Sequence, residues 1–246
     1  MKNSDMMDFK VISKRIDNWD QKIILRYNGL GGKITIYFFR FISFFGRETL
    51  WIFLIAFYLL IWYDPFLLSY ISATFLTGVI LVLSIKQIVK RSRPFERFND
   101  SKIIVFERKP TSRSFPSWHS YNVVSEGLVI GLTFLRSPWI TILILVLAIF
   151  VSFSRIQLGV HYPTDVICGY IFGVAGFFIS TYLIAPLILE VLTLIEQNVI
   201  YEIQYRRINS LLYENVWYLI ICLVIFTVIV LLAFYKRIID HLKKRK

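Results

Sequence analysis

The chain has 246 residues, 57% apolar, 17% aromatic and only 18% charged. A water-soluble globule carries roughly 45–50% apolar and about 25% charged residues, so the composition excludes a soluble domain and indicates a multi-spanning membrane protein. The net charge of +12, from 28 Lys and Arg against 16 Asp and Glu, suits attraction to anionic lipid or phosphate. Nucleic acid is not expected as a partner, because the basic residues are not interleaved along one soluble face. Cys168 and Cys222 both sit inside apolar runs, which argues against a disulfide scaffold.

The first 33 residues lack the apolar core of a signal peptide, with Lys10, Arg15, Asp20 and Arg26 scattered through them. Asp17 to Leu30 reads as an amphipathic helix at the membrane interface, with Trp19, Ile23, Ile24 and Tyr27 on its apolar side. Ile34 to Phe45 is apolar but too short to span, so residues 1–46 form an interfacial or re-entrant N-terminal region. Six spans are then expected: Thr49–Tyr63, Phe66–Lys86, His119–Leu135, Trp139–Phe153, Thr164–Ala185 and Val216–Tyr235. Asp64-Pro65 and Arg136-Ser137-Pro138 read as tight turns. Lys90, Arg91 and Arg97 read as charges at the interface with no further role. Pro186 to Asn215 has apolar residues at helical spacing and is expected to lie along the surface as a helix. The expectation is a single all-α membrane domain. It comprises a six-helix transmembrane bundle with an N-terminal interfacial amphipathic helix, a core over 47–185, an amphipathic connection over 186–215 and an extra span over 216–235.

Polar residues inside a membrane bundle mark function, and here they fall in three clusters. They are Lys86 to Pro94 (KQIVKRSRP), Phe115 to Ser120 (FPSWHS) and Ser154 to Asp165 (SRIQLGVHYPTD). Span parity brings all three to one end of the bundle. Lys86, Arg93 and Arg155 offer a point charge and two guanidinium forks, a set suited to a phosphoryl dianion. Two histidines, His119 and His161, can divide the work of nucleophile and general acid. Asp165 follows His161 by four residues with Pro163 as a helix starter between them, so its carboxylate can accept from Nδ1–H and leave Nε2 free to attack. Ser117 and the backbone amides around Trp118, at a helix start, add donors for phosphate oxygens. No acidic cluster for Mg²⁺ and no Cys/His set for zinc is seen in the sequence, so neither metal nor cofactor is expected.

These residues resemble the signature of the type 2 phosphatidic acid phosphatase (PAP2) superfamily. The matching pieces are Lys86…Arg93-Pro94, then Pro116-Ser117-Trp118-His119, then Ser154-Arg155…His161…Asp165. The resemblance covers Trp19 to about Ala185 and leaves the last span outside. It implies a lipid phosphatase that forms a phosphohistidine without a metal. His161 is then the nucleophile, Asp165 its orienting base and His119 the acid, with Lys86, Arg93, Ser117 and Arg155 on the phosphoryl oxygens. Trp118 stands where the family most often has Gly; a bulky indole there narrows the mouth or anchors it at headgroup level.

The implied substrates are phospholipid, polyprenyl phosphate or diphosphate, or another lipid phosphate. Fold does not choose among them. A phosphotransferase uses the same intermediate, and an inactive membrane scaffold is a third class; a scaffold would be expected to have lost one of the histidines. A transporter fits poorly, since no paired charges sit at mid-membrane. All of the 28 basic residues except Arg136, Arg206 and Arg207 fall on the side of the motif loops, so the positive-inside rule expects the site to face the cytoplasm. The tail Lys243-Lys244-Arg245-Lys246 adds to that bias and looks like a dilysine retrieval signal. The resemblance implies the opposite side, periplasmic or luminal.

Overall fold

A computed structural model describes residues 2–98, 102–199 and 203–243, with side chains described from residue 11 to residue 233 of these. The basic tail at 244–246 therefore lies outside the described residues. The helices are α1 (Lys2–Tyr27), α2 (Gly32–Ile42), α3 (Glu48–Leu60), α4 (Pro65–Val89), α5 (Pro94–Arg97), α6 (Trp118–Leu128), α7 (Pro138–Gln157), α8 (Pro163–Ile179), α9 (Ala185–Glu196), α10 (Leu211–Glu214) and α11 (Val216–Lys243). A 3₁₀ turn, Ser43–Gly46, follows α2, and wide π turns extend α6 over Val129–Phe134 and α8 over Ser180–Ile184. Among the described residues there is no strand, only an isolated bridge between Trp62 and Ile208.

All six predicted spans fall on helix, but not all are long enough to cross. Among the described residues, four helical runs meet the length and apolarity needed: Pro65–Arg97, Pro138–Gln157, Pro163–Glu196 and Val216–Ala233. A fifth is reached when Gly32–Gly46 and Glu48–Leu60, broken at Arg47, are taken as one. The helix beginning at Trp118 continues through its wide turn to Phe134 and, unlike a lipid-facing helix, buries Asn122 and Glu126.

The chain divides into two compact units, Met1–Gly46 with Leu76–Phe178, and Arg47–Phe75 with Ile179–Lys246. In the first, α6 is the axis, every residue from Ser120 to Leu128 being buried. Its neighbours approach through glycines: a Cβ on Gly78 would lie 2.2 Å from the Tyr121 ring, and one on Gly173 would lie 2.9 Å from the Tyr121 carbonyl. Such small residues are how helices come close where water supplies no drive for association. The N-terminal helix is longer than the Asp17–Leu30 expected. Of its expected apolar side, Ile24 is fully buried in a cluster with Phe95, Ile103, Ile156, Tyr162 and Val166, while Trp19 is exposed. The side that packs on protein is thus Asp20, Ile23, Ile24 and Tyr27, so three of the four expected residues lie on it.

In the second unit α3 packs along α11, with Phe53 and Phe226 edge to face at 5.0 Å. Asp64 caps α4 by accepting from Leu67 N at 3.0 Å, and Arg206 Nε donates to its other oxygen at 2.8 Å. The Pro186–Asn215 expectation needs correction. Helix runs on without a surface turn from Pro163 to Glu196, so the first third of that segment prolongs a spanning run. Pro186 has no N–H to donate, and the wide turn at Ser180–Ile184 just before it lets the helix carry on.

Candidate active site

The site is built around the turn between α7 and α8. Helix α7 stops because Gly159, at φ +80°, takes the left-handed conformation that ends helices, and a Cβ there would meet the Ile104 carbonyl at 2.6 Å. The chain then folds back so that Val160 N and His161 N both donate to the Arg155 carbonyl, at 3.1 and 3.2 Å. Arg155 and His161, six residues apart in sequence, are thereby fixed side by side. Pro163 opens α8, and Asp165, in its first turn, accepts from Tyr162 N at 2.9 Å, the reach-back that seals a helix start.

His161 is buried, with Nδ1 3.4 Å from Asp165 Oδ2 and Nε2 3.2 Å from Arg93 Nη1. A guanidinium can only donate, so Nε2 is the acceptor and the ring proton belongs on Nδ1, facing Asp165. Burial, and then the charges of Arg93, Lys86 and Arg155, hold the imidazole well below its ordinary pKa. Asp165, fully buried, also accepts from Ser114 Oγ at 2.5 Å and, on Oδ1, from Arg91 Nη1 at 2.6 Å.

Arg93, Lys86 and Arg155 all act on the same imidazole, and each is held by further partners. Arg93 spends Nε on the Ser112 carbonyl (2.7 Å), Nη1 on the Val160 carbonyl (2.8 Å) and Nη2 on Ser112 Oγ (3.0 Å). Lys86 Nζ donates to the Arg113 carbonyl at 2.6 Å. Arg155 donates to Ser43 Oγ at 2.5 Å and forks onto both carboxylate oxygens of Glu107, leaving its buried Nε without a partner. Glu107 thus holds the geometry in which a guanidinium takes an oxyanion.

The N-terminus of α6 docks against α8: Ser117 N donates to the Asp165 carbonyl at 2.9 Å, and a Cβ on Gly169 would lie 2.5 Å from the Ser117 carbonyl. His119 sits in the first turn of α6, against Gly46. The Ser117 hydroxyl is engaged locally, accepting from Ser120 Oγ at 3.0 Å and capping the helix. Both contacts use the hydroxyl's lone pairs, so its proton is not spent on them and can be given to a phosphate oxygen. Trp118 stacks on Tyr121 with ring centroids 6.1 Å apart.

Sequence reasoning missed four contributors. Arg91, taken for a plain interfacial charge, joins Asp165 to Asp20; Arg97, read the same way and not one of the four, forks onto Asp17 instead. Asp20, Ser114 and Glu107 were not singled out. Asp20 left one trace, a carboxylate on the stripe of α1 that carries Ile24 and Tyr27; Glu107 left none. Among the described residues no three His, Cys, Asp or Glu are grouped to hold a metal ion.

The PAP2 superfamily model matches residues 62–189. The chain is 37% identical over 134 residues to an undecaprenyl-diphosphatase of Sulfolobus acidocaldarius, a match covering 54% of this chain and 63% of that protein. It is 33% identical over 169 residues to a lipid A 4'-phosphatase of Bacteroides thetaiotaomicron, covering 64% and 73% of the two chains. Among solved structures it is similar to Aquifex aeolicus LpxE, with a TM-score of 0.56 and 21% identity over 65% of this chain and 93% of that one. The fold is shared at that distance. With four to five helical runs among the described residues long and apolar enough to cross a membrane, and a family match over half its length, the chain is an integral membrane protein that belongs to the PAP2 superfamily.

Proposed function

We propose that the protein is a lipid phosphatase that hydrolyses a headgroup phosphate or diphosphate through a phosphohistidine, without a metal. The observation that carries this reading is the posture of His161, with one nitrogen toward Asp165 and the other toward a guanidinium lined up with two further cations. The substrate's phosphoryl oxygens take the donors of Arg93, Lys86 and Arg155, displacing Glu107 from the last. His161 Nε2 attacks phosphorus, the P–O bond to the lipid breaks, and His119 protonates the departing oxygen. The Nδ1 proton stays on the ring, where Asp165 balances the new positive charge. Water, deprotonated by His119, then cleaves the N–P bond and releases phosphate. The low pKa of His161 keeps it neutral and nucleophilic at neutral pH.

The relatives act, by their names, on undecaprenyl diphosphate and lipid A, which supports a polyprenyl or glycolipid phosphate as substrate class. The charge bias supports a site facing the cytoplasm, which a cysteine at Ser101, labelled in intact against permeabilised cells, tests. The chemical test is phosphate release from polyprenyl diphosphate, phosphatidate and lipid A by purified protein in excess EDTA, with acid-labile label trapped on His161. Vanadate should block it. An absolute Mg²⁺ requirement, or label on another residue, overturns the reading.

A further inference from the structure

Helix α1 reaches the catalytic carboxylate through one arginine. Asp20, fully buried, accepts from Thr164 N at 2.9 Å, from Thr164 Oγ1, and from Arg91 Nη2 at 2.5 Å. Arg91 Nη1 donates in turn to Asp165 Oδ1 at 2.6 Å and to Thr164 Oγ1 at 2.7 Å, and the guanidinium lies over the Tyr162 ring, 4.2 Å from its centroid. Every terminal nitrogen of Arg91 is thus assigned, and its plane is fixed by the ring beneath. The result is a carboxylate–guanidinium–carboxylate bridge from α1 to α8, closed by the backbone of α8's first turn.

This bridge does more than fasten a helix. Asp165 serves His161 through Oδ2, which Tyr162 N and Ser114 Oγ also hold, so the plane of the carboxylate depends on what holds Oδ1. Pinning Oδ1 with a guanidinium that cannot itself rotate leaves Oδ2 presented to the imidazole. Without Asp20, Arg91 can turn to grip both oxygens of Asp165, the geometry a guanidinium fork prefers, and draw the carboxylate off the ring. We propose that Asp20 and Arg91 are positioning residues for the phosphoryl transfer, so that α1, outside the family-matched segment 62–189, completes the active site. The inference rests on His161 being the nucleophile.

The test compares Asp20→Asn, Arg91→Gln and Arg91→Lys with Arg97→Gln, which breaks the other ion pair of α1, to Asp17. Misplacing a catalytic group by about 1 Å costs up to about 100-fold, so the first three should lower kcat about 10- to 100-fold. KM and the inhibition constant of inorganic phosphate should move less than about threefold, because Lys86, Arg93 and Arg155 are untouched. The Asp20→Asn/Arg91→Gln double variant should be no slower than Arg91→Gln alone, since both act through one path. Arg97→Gln should keep kcat within about twofold. Arg91→Lys retains the charge and keeps the question open to measurement should the neutral variants fold poorly. Wild-type kcat in Asp20→Asn or Arg91→Lys, or a loss carried by KM and phosphate affinity alike, or an equal loss in Arg97→Gln, overturns the proposal. Absence of phosphoryl label on His161 in the wild type defeats the functional reading instead; normal labelling there with equally fast labelling in Asp20→Asn defeats the positioning inference alone.

Discussion

Asp64 and Asp165 make a matched pair, one in each compact unit. Both are buried acids at the start of a long helix, both satisfy a backbone N–H there, and both meet an arginine, Arg206 or Arg91. Their surroundings differ. Arg206 is 63% exposed and offers one nitrogen. Around Asp165 the arginine is enclosed and bridges to a second carboxylate, a buried imidazole lies on the other oxygen, and further cations stand behind that imidazole. An Asp–Arg pair at a helix start is therefore ordinary fastening. What turns one into a site is the buried imidazole it holds against uncancelled positive charge.

The sharpest way to break this comparison is His161→Ala, which should lower kcat by about 100-fold or more, while Asp64→Asn leaves kcat at the wild-type level. Radiolabelled phosphate release from mixed micelles measures both. Next in size, Arg155→Lys replaces a fork with a point donor and should cost about 10-fold or more in kcat/KM, a loss that a lysine's retained charge does not rescue. The acid limb of the pH–rate profile is a third measure. Protonation removes the nucleophile, and burial with Arg93, Lys86 and Arg155 holds His161 below 6.5, so the limb from this group should lie below that pH. Lys86→Met removes one of those cations and should move the limb upward; an unchanged limb sinks the assignment. Glu107→Gln frees Arg155 of its resident carboxylate and should tighten inhibition by inorganic phosphate a few-fold. Smallest of all in its effect on turnover, Arg206→Ala should cost about 1–3 kcal/mol in thermal or denaturant unfolding, because it leaves a buried Asp64 oxygen without its donor, and leave turnover untouched.

The parts of the site visible in the sequence are those whose partners lie close along the chain. Arg155, His161 and Asp165 share one turn, and the proline, glycine and spacing between them dictate it. Arg91 was misread because its meaning depends on partners 71 and 74 residues away, one of them on a helix whose sequence looks merely amphipathic. Glu107 lies in a loop without periodicity, so nothing local tied it to Arg155. The helix boundaries were legible where a turn residue closes them, as at Asp64-Pro65 and Arg136-Ser137-Pro138. Pro186 misled because the wide turn that accommodates it has no side-chain signature. Hydropathy did not show that the α6 segment is enclosed by protein, which lets it carry Asn122 and Glu126.

The contact at Gly169 has a consequence for tolerance. Helices α6 and α8 meet where a hydrogen atom stands in place of a methyl group, and the Ser117 amide closes the gap onto the Asp165 carbonyl. The two histidines come from stretches of chain some forty residues apart, yet they are mounted on one joint. A jolt that displaces one helix start carries the other with it, so on the proposed mechanism errors in placing the proton donor and the attacking nitrogen are correlated rather than independent. Accuracy at the phosphorus atom is in this way set by how tightly two backbones can touch, and a single added methyl at Gly169 would detune both partners at once.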